Sequence, residues 1–382
     1  MAAVEHASAG GAPKVAIFND PRIRGAAIQI LLVVLIVFLI WGMVSNAATN
    51  LARAGIASGF GFLNVTAGFG INISPFVEYS ETSSYGRVYL VGLQNTLVVA
   101  ITGIILATVV GFIVGIARLS TNWVVSKLAY AFVEVMRNIP LLLWIFIWYF
   151  SVLRLLPDKA APIDFGPFGL LNIAGYYAPK AVFGPGAGWI GLALLAGILA
   201  SIVIYRWARA GLIVGLPLVA YVLTGFPLSF ELPTTSRFGP RGGARIYPEF
   251  LGLLVALSFY TAAYIAEIVR AGILAISHGQ TEASYALGMR RGHTLRLVII
   301  PQAMRVIIPP LTNQYLNLTK NSSLAVAIAY PDLVSVFAGT TLNQTGQAVE
   351  VLLMTMLTYL ALSLLTSLFM NWFNAKMALV ER

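Results

Sequence analysis

Residues 281–301, TEASYALGMRRGHTLRLVIIP, form a polar and basic segment between two long apolar stretches of the chain. The apolar stretches are Phe250–Ala266 before the segment and Gln302–Ile328 after it. A helix of about 20 predominantly apolar residues is long enough to cross the hydrocarbon core of a bilayer. Residues 281–301 are therefore predicted to form an extramembrane connection between two membrane-spanning helices.

The overall composition indicates the same class of protein. Of the 382 residues, 59% are hydrophobic and 10% are charged, whereas about a quarter are charged in a typical soluble domain. These values predict an all-α, polytopic helical membrane protein. The absence of cysteine excludes disulfides and thiolate metal sites, and the scattered His6, His278 and His293 form no set of metal ligands. Basic residues that flank membrane spans explain the net charge of +10, so no nucleic-acid partner is predicted.

Apolar runs along the chain predict about eight transmembrane helices. These runs lie at residues 25–50, 88–117, 128–156, 189–205, 212–226, 250–270, 302–328 and 351–373. The third run is interrupted at Arg137–Pro140, and the seventh is predicted to break at Pro309 and Pro310. An alternative for the first run is a signal peptide cleaved near Ala47. Its apolar core is longer than the stretch of about 7 to 15 residues found in signal peptides, which disfavours cleavage.

The charges of the loops predict the orientation of the spans, because Lys and Arg accumulate in cytoplasmic loops. With both termini in the cytoplasm, residues 281–301 and most basic loop residues lie inside, and most acidic residues lie outside. The loop that contains Arg237, Arg241 and Arg245 is the clustered exception. The polar segment is thus predicted to be cytoplasmic.

Within the polar segment, the residue types predict a short helix followed by a sharp turn. Thr281 is suited to cap the helix, with Glu282 in its first turn. Ala283 and Ser284 are small enough for a partner surface to approach closely, and Gly288 suits a turn that a side chain would resist. Composition alone leaves open an ordinary amphipathic loop.

The spacing of the segment resembles the signature of ABC importer permeases, which is Glu-Ala-Ala, three residues, Gly, nine residues, Ile, one residue and Leu-Pro. The matching positions, with Ser, Val and Ile as small departures, are Glu282, Ala283, Ser284, Gly288, Val298, Ile300 and Pro301. The resemblance implies that this loop is a coupling helix that docks on a separate ATP-binding subunit.

Further motifs are similar to those of the polar amino-acid subgroup of these permeases. They are Asn95-Thr96-Leu97, Arg137-Asn138-Ile139-Pro140-Leu141, Ala263-Tyr264 with Ala266-Glu267-Ile268-Val269-Arg270, Pro309-Pro310-Leu311 with Asn313, and Lys320 with Ser322-Ser323-Leu324. The resemblance implies a permease core at 88–157 and 249–373, with a coupling loop at 272–301. The remaining predicted parts are cytoplasmic tails at 1–24 and 374–382, a first span and periplasmic loop at 25–87, and an insertion with two extra spans at 158–248.

Charged residues inside predicted spans are the first candidates for a substrate pathway, because each one is costly in lipid unless it is paired or hydrated. Glu134 and Arg137 are three residues apart on one helical face, and Glu267 and Arg270 repeat that spacing. Structural ion pairs are one interpretation of both sets. In the other, Arg137 with its neighbour Asn138 binds the carboxylate of an amino acid, beside backbone groups freed by Pro140, and Glu267 meets the ammonium group.

The predicted break in the seventh span supplies the second set of candidates. Interrupted helices expose backbone dipoles that transporters use to bind substrates, and the polar residues of this region are Asn313, Asn317, Thr319 and Lys320. The alternative is a simple kink whose side chains satisfy the freed carbonyl groups.

No phosphate-binding loop and no hydrolase motif occurs in the sequence, so no catalytic residue and no bound cofactor or metal is predicted. The predicted function is that of the membrane subunit of an ATP-driven amino-acid importer. By resemblance, its partners are an ABC ATPase dimer that holds ATP and Mg, a second related permease chain, a periplasmic amino-acid-binding protein and the lipid of the bacterial inner membrane. An ion-coupled transporter that uses Glu134 or Glu267 is the alternative, and a membrane-bound sensor is disfavoured because no sizeable soluble domain is present.

Overall fold

A computed structural model describes residues 21–53, 59–203, 209–225 and 228–377. Most of the predicted N-terminal tail, residues 204–208 between the predicted fourth and fifth spans, and the last five residues lie outside the described residues. The described chain is mostly helical, in agreement with the predicted class. Its long helices are connected at one end by irregular segments and short strands.

The first helix, α1 (Pro21–Arg53), exposes its apolar side chains along its length, as Trp41 does with 73% of its surface. A short 3-10 turn at Phe60–Asn64 and an irregular segment then lead to α2 (Tyr85–Ala117). The irregular segment is held on α2 by Gln94, whose side-chain oxygen accepts hydrogen bonds from the backbone of Phe76 (3.2 Å) and Val77 (2.9 Å). The loop predicted before the second span is therefore an ordered cap on that helix.

The next span consists of two helical arms, and the second is bent by 107° relative to the first. The first arm is α3 (Trp123–Asn138), whose N-cap Asn122 accepts a hydrogen bond from Val124 N at 3.0 Å. The second begins with α4 (Leu141–Phe146) and continues as a π-helical turn at Ile147–Val152 and a 3-10 turn at Leu153–Leu155. Ile139 is extended and Pro140 has φ −55°, as expected where proline restricts the residue before it. The predicted interruption at 137–140 is confirmed.

The insertion contains strands that the sequence interpretation treated as loops. One sheet has the order β1-β2-β3-β6, all antiparallel, and β4 pairs with β5 in a second. The strands are β1 (Ile163–Asp164), β2 (Leu170–Asn172), β3 (Gly175–Ala178), β4 (Lys180–Phe183), β5 (Leu228–Glu231) and β6 (Ala244–Ile246). Between β4 and β5 lie two apolar helices, α5 (Ala187–Val203) and α6 (Arg209–Leu223), which pack on each other.

The C-terminal half starts with α7 (Pro248–Leu274), α8 (His278–Ala286) and α9 (Arg291–Thr294). A π-helical turn at Leu295–Ile299 leads into α10 (Ile300–Asn321), which is followed by a 3-10 segment at Ser322–Ile328 and a π-helix at Leu333–Thr341. The chain continues with α11 (Leu342–Thr345) and α12 (Ala348–Met377).

The break predicted for residues 309–323 is absent at Pro309 and Pro310, because α10 runs through both prolines. The helix changes to a 3-10 segment only at Ser322. Proline removes one backbone donor and tends to kink a helix, but neighbouring groups in membrane bundles can compensate for this. Both prolines are exposed, whereas Ile308 and Leu311 beside them are buried. The packed side of the helix is therefore continuous past the prolines.

The core of the bundle is the contact between α2 and α7. Gly111 and Gly115 of α2 are four residues apart and face α7, where a Cβ at Gly111 would lie 2.6 Å from Ile265 Cβ and one at Gly115 would lie 2.7 Å from the Ala266 carbonyl oxygen. Small residues at this spacing allow membrane helices to approach closely. Five described helices are long and apolar enough to cross a membrane, and the two bent arms would make a sixth span. The two helices α5 and α6 of the insertion are apolar but shorter.

Candidate functional site

The predicted coupling segment contains a short helix that ends at Gly288. The helix α8 begins earlier than predicted, with Ser277 as its N-cap, so Thr281 and Glu282 lie inside it. At its end, Gly288 N donates to Tyr285 O (2.9 Å) and Met289 N donates to Ser284 O (3.1 Å). These two bonds form a Schellman motif, which places a left-handed residue after the helix. Gly288 has φ +74°, as the predicted turn requires.

The surface of α8 differs from the predicted one at a single position. Ala283 is exposed, but Ser284 is buried and its hydroxyl donates to Gln280 O at 2.7 Å. Ser284 is therefore packed within the described chain, and its hydroxyl bonds a carbonyl of the same helix. Leu287 is 82% exposed and Tyr285 is 48% exposed. The outer face of the segment thus presents a small residue between larger apolar ones.

The segment is attached to the start of the next span. Gln302 Nε2 donates to Gln280 Oε1 at 3.2 Å, which connects α8 to the first turn of α10. Thr294 and Ile299 are buried behind α8. Pro301 lies in the first turn of α10, where its missing N–H is tolerated. A force on α8 therefore reaches α10 through few intervening groups.

A second set of polar residues joins α2 to α7. Glu267 forms an ion pair with Arg270, with Nη2 to Oε1 at 2.5 Å, and a second one with Arg118 Nη1. The predicted pair of Glu267 and Arg270 is confirmed, and Arg118, at the end of α2, joins it. Two guanidinium groups thus surround one carboxylate, so the cluster carries a net positive charge.

The predicted pair of Glu134 and Arg137 does not form. Asn138 Nδ2 instead donates to Glu134 O (2.8 Å) and Glu134 Oε2 (3.2 Å), which closes the last turn of α3. The guanidinium of Arg137 lies over the ring of Tyr264 at 5.1 Å, a cation–π contact. Arg137 and Asn138 are exposed at the 107° bend.

The third set of predicted residues occupies one face of α10. Asn313, Asn317 and Lys320 recur at intervals of four and three residues, and all three are exposed. Leu311 and Leu318 on the opposite face are buried in the bundle. A polar stripe on a membrane helix is costly against lipid. This face of α10 is therefore suited to an aqueous pathway or to another chain.

The structure thus groups most of the predicted residues into three places: the coupling segment, the bend and the face of α10. Glu267 belongs to a fourth, the paired cluster with Arg118. Tyr264 and Arg118 were not among the predicted site residues. The sequence gives a signal only for Tyr264, which is three residues before Glu267 on α7 and therefore lies on the same helical face. Among the described residues, no group of three or more acidic, His or Cys side chains is arranged to hold a metal ion.

Residues 212–379 match the family model of the binding-protein-dependent transport system inner membrane component. Three relatives align along almost the whole chain. The general L-amino acid transport system permease protein AapQ of Rhizobium johnstonii is 52% identical, with 95% of this chain and 94% of the relative covered. The putative amino-acid ABC transporter permease protein YhdX of Escherichia coli is 48% identical, with 96% and 97% covered.

The third relative is the glutamate/glutamine/aspartate/asparagine transport system permease protein BztB of Rhodobacter capsulatus. It is 39% identical, with 95% of this chain and 96% of the relative covered. These three alignments extend over almost the whole chain and not only over its C-terminal half. The chain therefore belongs to the amino-acid ABC transporter permeases, within the family of binding-protein-dependent transport system inner membrane components.

Proposed function

We propose that this chain is one of two related permease subunits of an ATP-driven importer of L-amino acids in the bacterial inner membrane. A periplasmic binding protein delivers the substrate, and a dimer of separate ABC ATPase subunits binds ATP and Mg and supplies the energy. The names of AapQ and BztB, which specify L-amino acids and four polar amino acids respectively, support this substrate class. The chain itself catalyses no reaction in this proposal.

The proposed topology has about eight spans with both termini in the cytoplasm. The long helices, the bent arms and the two shorter apolar helices of the insertion support it, as does the concentration of basic residues near α8 and α9. The proposed parts are the tails 1–24 and 374–382, the first span and loop 25–87, the core 88–157 and 249–373, the insertion 158–248 and the coupling loop 272–301.

The observation that carries the proposal is the geometry of the coupling segment. The short exposed helix α8 follows the span α7 and is joined to the next span, α10, by Gln302. Leu287 after this helix is 82% exposed, and Gly288 has the left-handed φ of +74°. We propose that Glu282, Ala283 and Leu287 contact a groove of the ATPase and that Pro301 marks the return to the membrane. Closure of the ATPase dimer would then move α10.

The substrate pathway of the proposal follows the exposed polar face. Arg137 and Asn138 at the bend, and Asn313, Asn317 and Lys320 on α10, would face the second permease chain and the substrate. Arg137 and Lys320 supply the positive charge for an amino-acid carboxylate. Glu267, predicted to meet the ammonium group, is already paired with two arginines. That pairing makes it less available to a substrate.

Substitutions at Gly288 test the coupling role. Gly288→Val is expected to abolish copurification of the ATPase and ATP-driven uptake, because a β-branched residue resists φ +74°. Gly288→Asn is expected to retain both, since Asn tolerates this conformation. The matched control is Gly68→Val, because Gly68 has φ +72° and equally open surroundings in the loop before α2. Normal ATPase association of Gly288→Val, with uptake intact, would refute the assignment.

The ion-coupled alternative is not favoured. The relatives are ABC transporter permeases, and Glu267 is paired while Glu134 is held by Asn138. The test is reconstitution in liposomes with and without the ATPase and the binding protein. Uptake by this chain alone, driven only by an ion gradient, would overturn the proposal.

A further inference from the structure

A polar cavity of about 200 Å³ lies at the end of the bundle away from the coupling segment. Its walls come from three parts of the chain: the irregular segment 69–73, the start of α7 and the segment after α10. The polar side chains that line it are Asn72, Tyr247, Glu249, Ser335 and Thr340. Its volume is several times the share of about 30 Å³ that one water takes in the liquid, so it has room for the head of a small amino acid.

Glu249 is the only acidic side chain that lines this cavity among the described residues. Its Oε1 accepts a hydrogen bond from the hydroxyl of Tyr149 at 3.1 Å. Its Oε2 is shielded from solvent and has no hydrogen-bond partner among the described residues. A carboxylate can accept several hydrogen bonds, and only one is made to Glu249 by the described residues. Glu249 therefore retains acceptor capacity for a cationic donor that enters the cavity.

The walls of the cavity are fixed by a side chain of α2. Asn95 is fully buried, and its Nδ2 donates to Ile73 O (2.8 Å) and to Pro331 O (2.9 Å), which belong to two different walls. Ala329 lines the cavity with φ +57°, an uncommon conformation for a residue with a side chain. This conformation ends the 3-10 segment Ser322–Ile328. The walls of the cavity are thus held by the buried side chain of Asn95 and by the end of this segment.

We propose that this cavity binds the ammonium group of the amino-acid substrate, with the carboxylate of Glu249 as the acceptor. The inference rests on the proposed function, since the importer must pass an amino acid through this end of the chain. Tyr149 lies on the second of the two bent arms, at whose junction Arg137 and Asn138 are exposed. An ammonium group on Glu249 would compete with the Tyr149 hydroxyl for the carboxylate. Substrate in the cavity would thereby loosen a contact between α7 and the bent arms.

The test uses the complex purified with its co-expressed subunits, without binding protein, and radiolabelled L-glutamine as the probe. E249Q retains an oxygen for the Tyr149 hydroxyl but removes the charge, and it is expected to weaken binding about ten- to a hundred-fold. Y149F is the matched control, because it removes the hydrogen bond between Tyr149 and Glu249 and leaves the carboxylate. Its affinity for the probe should be equal to that of the wild type or higher. Glutamine lacking its α-amino group should not compete with the probe.

The possible results separate this inference from the proposed function. Two results overturn the cavity assignment alone, if the complex performs ATP-driven uptake. In one, the wild-type complex does not bind glutamine; in the other, E249Q binds glutamine as tightly as the wild type. Equal losses in E249Q and Y149F also overturn it, since Y149F keeps the carboxylate that the inference makes the acceptor. Loss of glutamine binding when Na⁺ is replaced by choline would also overturn the inference, because the carboxylate of Glu249 would then bind a metal cation and not the ammonium group. A complex with no ATP-driven uptake overturns the proposed function whatever Glu249 does.

Discussion

The close contact between α2 and α7 predicts that a single added methyl group at Gly115 destabilises the bundle. In Gly115→Ala the new Cβ would lie 2.7 Å from the Ala266 carbonyl oxygen and 2.8 Å from Val269 Cβ. Ordinary contact begins at 3.4 Å, so the two helices must separate locally by about 0.7 Å. Neither neighbour is the free end of a flexible side chain, and the strain therefore falls on the helix packing.

The size of the effect follows from a comparison with a glycine in open surroundings. Gly191 lies in the interior of α5 with nothing within 4 Å of its Cβ position. Gly→Ala in a helix interior favours the helix by about 1 kcal/mol at either site, so this contribution cancels between the two variants. Overpacking costs about 1–3 kcal/mol. Gly115→Ala is therefore expected to be less stable than Gly191→Ala by about that amount.

The assay is the apparent melting temperature of the purified complex, followed by size-exclusion chromatography after heating. A double-mutant comparison provides a second test of the packing. It uses Arg118, which lies about one turn beyond Gly115 and pairs with Glu267, the residue after Ala266. If the helices separate, Glu267→Gln should cost less in the Gly115→Ala background than in the wild type, because the pair is already weakened. A Gly115→Ala protein as stable as Gly191→Ala would refute the packing argument.

Two further predictions concern acidic groups. Glu267→Gln leaves the guanidinium groups of Arg118 and Arg270 without their counter-charge, so it should lower the melting temperature more than Glu134→Gln, whose carboxylate accepts one bond from Asn138; equal effects would contradict this. Burial raises the pKa of Asp332 to about 7, from an ordinary value of 3.8. Between these values the folded protein holds a proton that the unfolded chain has lost, so stability should fall as pH rises from about 4 to about 7. Asp332→Asn should flatten this dependence in melting scans, and an unchanged slope would exclude Asp332 as its source.

Features that depend on local composition were predictable from the sequence. Apolar runs locate the long helices because the bilayer requires about 20 such residues. The bend at Ile139 and Pro140 follows from the restriction that proline imposes on its neighbour. The turn at Gly288 follows from the spacing of the coupling segment, although the burial of Ser284 beside it depends on how α8 lies against the chain.

Features that depend on distant residues were not predictable. Strand β3 pairs with β6, whose residues come about 70 positions later, so neither short strand shows an isolated signal. Arg118 and Glu267 are 149 residues apart, and no spacing along the chain indicates their contact. The continuity of α10 through Pro309 and Pro310 is likewise decided by the helices that bury Ile308 and Leu311, and not by the prolines themselves.

The surfaces left open by the described chain differ in the environment that they require. The exposed side of α1 is apolar over most of its length, as at Phe38 and Trp41, and lipid can cover this part at little cost. The exposed side of α10 carries Asn313, Asn317 and Lys320, which lipid cannot cover without leaving polar groups unsatisfied. Because α7 and α12 already cover the other side of α10, water or a second chain must supply the environment of this face. The polar face of α10 is therefore a different kind of surface from the exposed side of α1, because lipid alone cannot cover it.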